Sequence, residues 1–197
     1  MTQQTRRIVT VIAAFLAGLA IFSVAIFTVS GRLPTPVAPS AIGWPFRLVD
    51  QNVAVVTEAD LKGKPSLIFF GFTHCPDICP TALFDMSQVY KALGRDGDRV
   101  AAFFVTVDPE RDTPEVLKEY LSSFDPHLRG LTGDPASVAA MEKAYRVYSK
   151  KVPLEAGGYT MDHTALVYLM DKQGRFVAPF NMKRKPEDAA TELKRYL

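Results

Sequence analysis

The sequence predicts an α/β fold in which helices flank a central sheet, with an N-terminal hairpin and a single N-terminal transmembrane helix. Two apolar runs, at 66–72 and 100–107, are each followed by a helix start, an alternation typical of parallel strands joined by helices. A third run, at 8–29, carries no charge. The chain of 197 residues is 48% hydrophobic and 22% charged, which suffices for one packed domain and an appendage.

The run at 8–29 is 22 residues long, and a helix needs about 20 apolar residues to cross the hydrocarbon core of a bilayer. Arg6 and Arg7 precede it, and positive charge stays on the cytoplasmic side, so we expect the rest of the chain to be exported. The alternative is a cleaved signal peptide, whose apolar region is about 7 to 15 residues long. The longer run favours a retained anchor.

The predicted layout is a cytoplasmic tail at 1–7, an anchor at 8–29, a proline-rich tether at 30–40 and a folded domain at 41–197. The prolines that follow the apolar run favour an extended tether. Only seven residues precede the run, and they do not form an amphipathic transit peptide. We therefore expect a bacterial inner-membrane protein, single-pass, with its soluble domain in the periplasm.

The first half of the folded domain begins with a hairpin and continues with a strand and a helix. Thr57 and Asp60 follow the hairpin with the spacing of a capping box, which predicts a short helical turn. Pro80 suits the first turn of a helix, and apolar residues recur at helical spacing after it. The predicted elements are a hairpin at 46–49 and 53–56, a helical turn at 57–61, a strand at 66–72 and a helix at 80–93.

The second half alternates strands and helices and ends on an antiparallel hairpin and a helix. Thr113 and Pro114 supply a cap and a proline at the first helical position, and Asp134 and Pro135 repeat that signal. The predicted elements are strands at 100–107, 164–170 and 176–180, and helices at 114–124, 135–147 and 186–196.

The two cysteines of the sequence, Cys75 and Cys79, lie where the strand at 66–72 ends and the helix at 80–93 begins. This junction is a preferred place for chemistry in α/β sheets, and the first helical amides should favour thiolates. Each cysteine precedes a proline, which disfavours helical geometry, so we expect both sulfurs on a loop before the helix. Such a pair can form a passive disulfide, exchange disulfides or bind a soft metal, and the spacing leaves all three open.

A metal site built on two sulfurs needs a third ligand, and the sequence has three histidines. His74 adjoins Cys75, where strain opposes a shared metal. His127 lies in a turn that we expect to be exposed. His163 stands just before the predicted strand at 164–170. A histidine is more often structural than ligating, so the residues alone do not choose a ligand among them.

The strand, the cysteine loop and the helix together resemble thioredoxin, in which a cis-proline before the third strand packs against the two cysteines. His163 stands where that proline would be. The whole domain from about residue 40 to 197 resembles the Sco/SenC family of copper chaperones, which implies a thioredoxin-like fold. The matching segments are GFTHCPDICP at 71–80, VDPERDTP at 107–114 and DHT at 162–164, before an apolar strand.

The resemblance implies that Cys75, Cys79 and His163 bind copper. It also implies delivery to the dinuclear copper centre in subunit II of cytochrome c oxidase, with another periplasmic copper chaperone as a candidate donor. Two thiolates and an imidazole suit Cu(I), and a thiolate-rich site can also hold Cu(II), whereas zinc prefers a closed fourth position. Asp77 and Asp162 flank the ligands and are candidates to tune charge or orient His163, with surface solvation as the alternative.

Several alternatives remain open on the sequence. A thiol–disulfide oxidoreductase would use the same cysteines to reduce those of the oxidase copper centre, although His163 in place of proline favours metal binding. A redox sensor or a peroxidase has no specific support, and no residue is assigned a catalytic role. Met161 is either an axial sulfur or, as favoured, a core contact, and 108–113 is either a docking loop or, as favoured, a rigid turn. The net charge of +2 and the lack of a basic stripe give no indication of a nucleic-acid partner, and none is expected.

Overall fold

The computed structural model describes residues 3–30, 42–43 and 45–197. The chain divides into two compact units, Met1–Ala38 and Pro39–Leu197. The first contains helix α1, Gln3–Ser30. Across the described ranges, no helix has the length and apolarity that a membrane crossing requires. The anchor and the domain boundaries stay predictions. Of the predicted tether at 30–40, Ser30 ends α1, and the other residues lie outside the described ones.

The second unit is built on a seven-stranded mixed sheet and a separate two-stranded ribbon. The sheet has the order β2-β1-β5-β4-β3-β8-β9, and the ribbon pairs β6 with β7. The described residues form nine strands: β1 Arg47–Asp50, β2 Val55–Thr57, β3 Ser66–Gly71, β4 Ala101–Thr106, β5 Leu128–Thr132, β6 Ser149–Pro153, β7 Tyr159–His163, β8 Val167–Met170 and β9 Phe176–Phe180.

Strands β3, β4 and β5 run parallel. Strand β8 pairs antiparallel with β3, and β9 pairs antiparallel with β8 at the edge of the sheet. All six residues of β3 are buried, as its uninterrupted apolar sequence predicts for a strand covered on both faces. The antiparallel pair β1 and β2 confirms the N-terminal hairpin. Strand β3 lies inside the sheet, between β4 and β8, and its carboxyl end leads directly into the cysteine loop.

Four helices accompany the sheet in the described part of the second unit. Helix α2 packs against α5, α3 packs against β5, and α4 packs against β1. The helices are α2 Ile78–Leu93, α3 Pro114–Leu121, α4 Pro135–Tyr145 and α5 Pro186–Leu193.

The predicted helix caps are confirmed. Asp60 accepts a hydrogen bond from the Thr57 amide at 2.8 Å and completes the capping box of a short 3-10 helix, Glu58–Leu61. Thr113 caps α3, and Asp134 caps α4. Each cap satisfies amides that a helix start otherwise leaves without partners, so these residues fix where the helices begin.

Two parts of the predicted strand order are wrong. The central strand β5 was not predicted, because its short sequence, LRGLT, contains a glycine and a charged residue. The strand expected at 164–170 is shorter, at Val167–Met170, and residues 164–166 connect it to the ribbon strand β7, which ends at His163. His163 consequently ends a ribbon strand instead of standing directly before a sheet strand.

Candidate metal centre

The structure brings His163 to Cys75 and Cys79, from which it is distant in sequence. Their ligand atoms, two Sγ atoms and one imidazole nitrogen, all lie within 4.8 Å of one another. The Cys79 Sγ stands 3.7 Å from the His163 Nε2, and the Cys79 amide donates a hydrogen bond to the Cys75 Sγ at 3.4 Å. Of the three histidines considered in the sequence, only His163 joins this cluster.

Cys79 lies in the first turn of α2 and is completely buried. The helix begins at Ile78, two residues earlier than predicted, because Pro80 then occupies the third helical position, where an amide still has no acceptor. The expectation of a loop position is therefore wrong for Cys79. The expectation that Cys79 favours the thiolate is also wrong. Burial raises the pKa of the Cys79 thiol, and the neighbouring Cys75 raises it further.

Gly71, the last residue of β3, leaves room for the buried sulfur. A Cβ atom at this position would stand 2.8 Å from the Cys79 Sγ and 2.7 Å from the Phe104 ring. Both distances are shorter than van der Waals contact permits. The lack of a side chain at Gly71 is thus what allows Cys79 to approach the end of the strand.

His163 is held in a defined orientation by its neighbours. Its Nδ1 lies 3.2 Å from the Thr164 carbonyl oxygen, and a proton on Nδ1 can donate to that oxygen, which leaves Nε2 free to bind a metal. The imidazole meets the Phe72 ring edge-on, with centroids 5.7 Å apart. Burial lowers the pKa of His163, so the neutral, ligating form is favoured.

Asp112 anchors the cysteine loop and was not singled out in the sequence. Its buried carboxylate accepts hydrogen bonds from the Thr73 amide at 3.0 Å, the Thr73 hydroxyl at 2.6 Å and the Thr106 hydroxyl at 2.6 Å. Thr73 stands two residues before Cys75, so the carboxylate fixes the start of the loop. In the sequence, Asp112 stands directly before the cap of α3 and within the segment at 107–114, but neither position indicates that its carboxylate holds the cysteine loop.

The other flanking residues lie outside the cluster. Asp77 precedes α2, and its carboxylate lies 3.5 Å from the Thr81 hydroxyl. Asp162 is exposed on β7, and its charge raises the pKa of His163 against the stronger effect of burial. Their roles beside the ligands stay predictions. Met161 is buried in the core, as favoured.

His74 and His127 have other partners. His74 is exposed, with its Nδ1 3.0 Å from the Thr73 hydroxyl. His127 stacks on Tyr90 and lies between Asp98 and Asp125, at 3.0 Å and 2.6 Å. The expectation that a surface turn holds His127 is correct, although its ring is partly covered.

The sequence model of the SCO1/SenC family matches residues 35–197. The chain belongs to the SCO1/SenC family. A Sco relative, the SCO2-like protein of Rickettsia felis, is 39% identical over 155 residues, which span 78% of this chain and 76% of the relative. The resemblance seen in the cysteine segment and in the segments at 107–114 and 162–164 is therefore confirmed.

Two solved Sco structures show the same fold. Bradyrhizobium japonicum ScoI, solved with copper bound, is 66% identical with a TM-score of 0.78, and the match covers 79% of this chain and 99% of that one. BsSco, described as having a disulfide switch and as a member of the Sco family of cytochrome c oxidase assembly proteins, is 25% identical with a TM-score of 0.64. That match covers 79% of this chain and 94% of BsSco. The central mixed sheet flanked by helices is thus the thioredoxin-like fold of the Sco family.

Proposed function

We propose that this Sco protein binds copper through Cys75, Cys79 and His163 and acts as a metallochaperone. The observation that carries the proposal is the convergence of two thiols and one imidazole within 4.8 Å. A Sco protein that is 66% identical has been solved with copper bound, which supports the same cargo here.

The donor set fits copper by its chemistry. Thiolates are soft ligands that select Cu(I), and an imidazole completes a three-coordinate site that a thiolate-rich environment also allows for Cu(II). Zinc would require a fourth ligand to close a tetrahedron, and the cluster of described residues offers three. All three groups can bind in their deprotonated forms. The His163 Nε2 carries no proton when Nδ1 donates to the Thr164 carbonyl oxygen, and copper can displace the protons of the two thiols.

The exposure of the ligands suggests how copper leaves. Cys79 is completely buried, whereas Cys75 and His163 are half-buried. An incoming thiolate from a partner would therefore reach copper from the side of Cys75 and His163, and Cys79 would be the last ligand released. Transfer by stepwise ligand exchange needs such an open side.

We further propose the dinuclear copper centre in subunit II of cytochrome c oxidase as the recipient and another periplasmic copper chaperone as the donor. The description of BsSco as an assembly protein of this oxidase supports a recipient in the same enzyme. A thiolate-bound copper is suited to enter a centre by exchange with the recipient's own ligands.

The proposed location is the bacterial inner membrane, with residues 8–29 as the anchor, 1–7 in the cytoplasm and the domain at 41–197 in the periplasm. The charge-free run and the arginines before it support this topology. Alkaline phosphatase fused after residue 197 should be active, and the full chain should resist extraction from membranes by alkaline carbonate. An inactive fusion or a freely extracted protein would contradict the anchor.

A second candidate function is reduction of the cysteines in the oxidase copper centre. It is supported by the closeness of the two sulfurs, which lie within 4.8 Å of each other, and by the disulfide switch described for BsSco. A reductase needs the two thiols but not the imidazole. The two functions therefore differ in their dependence on His163.

The test is oxidase assembly under limiting copper in cells that carry Cys75→Ala, His163→Ala or His74→Ala. We expect the first two variants to lose assembly and His74→Ala, which alters an exposed neighbouring histidine, to retain it. Normal assembly in Cys75→Ala would contradict both functions. Normal assembly in His163→Ala with loss in Cys75→Ala would favour the reductase.

A further inference from the structure

The ribbon of β6 and β7 carries His163 and yet stands apart from the main sheet. Among the described strands, β6 and β7 pair only with each other. Every residue of β6 after Ser149 is exposed, and Met161 is the buried residue of β7. Because an isolated pair of strands is marginally stable in water, contacts at its flanks must decide where His163 stands.

The ribbon contacts the turn that follows β4 through three residues, Asp108, Arg111 and Tyr159. The Tyr159 hydroxyl, at the start of β7, donates to the Asp108 carboxylate at 2.8 Å. The Arg111 Nε donates to the other oxygen of Asp108, and its Nη1 donates to the Tyr159 carbonyl at 3.0 Å. The guanidinium also covers the Tyr159 ring, 3.8 Å from its centroid.

These contacts surround the buried carboxylate of Asp108. The Asp108 side chain is fully buried, so its carboxylate must be paired and hydrogen-bonded to remain there. Arg111 supplies the charge, and Tyr159 supplies the second hydrogen bond. If the ribbon moved away from the turn, the Asp108 carboxylate would lose its hydrogen bond from Tyr159. The cost of leaving a buried charge with fewer partners therefore opposes that movement.

The same turn touches the other half of the site. The Arg111 guanidinium faces the Phe72 ring at 5.9 Å, and the Phe72 ring contacts the His163 imidazole. Asp112, the next residue, anchors Thr73 at the start of the cysteine loop. The turn at 108–112 therefore contacts both the cysteine loop and the ribbon with the histidine.

We propose that Asp108, Arg111 and Tyr159 form a brace of positioning residues that holds the ribbon, and with it the His163 Nε2, within reach of the two sulfurs. Loss of the brace would convert a three-ligand copper site into a site of two thiolates with a mobile histidine. The proposal rests on the copper site proposed above and assigns the turn at 108–112 a role in that site.

The first test uses reduced, metal-free protein and amide hydrogen exchange measured by NMR. We expect amides at 159–163 to exchange severalfold faster in Tyr159→Phe and at least about tenfold faster in Arg111→Met, with β3 and β4 unchanged. Arg129→Met is the matched control, because Arg129 also pairs with a buried aspartate, Asp50, at 2.8 Å. The control should leave exchange in the ribbon unaltered.

The second test loads the same proteins with Cu(II) and records the nitrogen hyperfine coupling of the bound copper and the copper affinity. We expect the coupling to weaken and the affinity to fall about tenfold or more in Arg111→Met, as when a contact that orients a ligand is lost. In a His163→Ala background, Arg111→Met should lower the affinity no further. Arg129→Met should match the wild type.

Unchanged ribbon exchange and unchanged nitrogen coupling in folded Arg111→Met and Tyr159→Phe would overturn the brace. If Arg111→Met fails to fold, Tyr159→Phe decides, since it removes a single hydroxyl. A wild-type spectrum without a nitrogen ligand would instead overturn the three-ligand copper site. In that case the exchange measurement on metal-free protein still supports or overturns the brace.

Discussion

Gly71 lies beside the buried Cys79 sulfur, where there is no room for a side chain. In Gly71→Ala, the new methyl group would stand 2.8 Å from the Cys79 Sγ, so the sulfur or the strand end must shift. We expect the free energy of unfolding to fall by about 1–3 kcal/mol, the usual cost of overpacking, and copper affinity to fall as well. Urea unfolding and a copper titration measure the two effects.

Gly130→Ala provides the matched control for this prediction. Its methyl group would stand 2.7 Å from a Leu121 methyl carbon, so the substitution overpacks the core between β5 and α3. It should lower stability comparably and leave copper affinity unchanged. Equal copper affinity in both variants would contradict the claim that Gly71 makes room for the ligand.

The protonation of the ligands predicts how copper affinity depends on pH. Burial raises the pKa of the Cys79 thiol, so copper must displace its proton at neutral pH, whereas burial lowers the pKa of His163 and leaves the imidazole neutral. Affinity for Cu(I) should rise about tenfold per pH unit for each thiol proton released. Competition with a chelator between about pH 6 and pH 8 measures this slope.

His163→Ala serves as the control for the slope. It should lower the affinity and retain the pH dependence, because the thiols release the protons. An affinity that does not vary with pH in the wild type would contradict a protonated Cys79 in the metal-free protein.

At the scale of elements, Asp112 ties the cysteine loop to the turn before α3. In Asp112→Ala, the Thr73 amide and two hydroxyls would lose their acceptor. We expect the free energy of unfolding to fall by about 1–3 kcal/mol, the range for a buried donor left without a partner, and copper affinity to fall with it. Chemical unfolding and a copper titration again provide the measurements.

Asp50→Ala is the comparison for Asp112→Ala. Asp50 is also buried and accepts hydrogen bonds from the amides of Asn52 and Ala54, but it lies at the end of β1. Its loss should lower stability and leave copper affinity unchanged. A similar loss of affinity in both variants would show that general destabilisation, and not the loop anchor, weakens the site.

The predicted elements have strong local sequence patterns, such as an apolar run or a helix cap. The elements that were not predicted have weak ones. The strand β3 is a continuous apolar run, and α3 begins with a cap and a proline, so both were predicted within a few residues. The ribbon has no alternating apolar pattern, because β6 is exposed almost throughout. Its position depends on Asp108 and Arg111, whose partner Tyr159 is distant in sequence.

The residues of the site also differ in how far the local sequence identifies them. Cys75 and Cys79 could be selected from their place between a strand and a helix. His163 could be selected only through the resemblance to a family, since nothing near it in the sequence indicates a ligand. Asp112 was missed because an acidic residue before a helix is common, and its burial becomes evident only in the folded chain.

At the scale of the whole molecule, His127 predicts how stability depends on pH. Partial burial lowers its pKa, but hydrogen bonds to Asp98 and Asp125 outweigh burial, and the pKa is raised. The folded state therefore binds the proton more tightly than the unfolded state. This contribution is fully present below the unfolded pKa of about 6.5 and is lost as the pH rises through the raised folded value.

The comparison is between the wild type and His127→Gln in urea unfolding from about pH 5 to pH 8. We expect the stability difference between the two to shrink as the pH rises and to be smaller in high salt, because the side chain is 34% exposed. His74→Gln, an exposed histidine, is the control. A difference that grows with pH would contradict the assigned sign.

Binding of copper by two thiolates and one imidazole is the central claim, and one measurement tests it most directly. Residues 40–197 are prepared reduced, loaded with Cu(II), and compared with His163→Ala for bound copper and for the thiolate-to-copper charge-transfer band. We expect one copper per chain and a band that is lost or strongly altered in the variant. No copper above background in the wild type, with a readily cycled disulfide between Cys75 and Cys79, would contradict it.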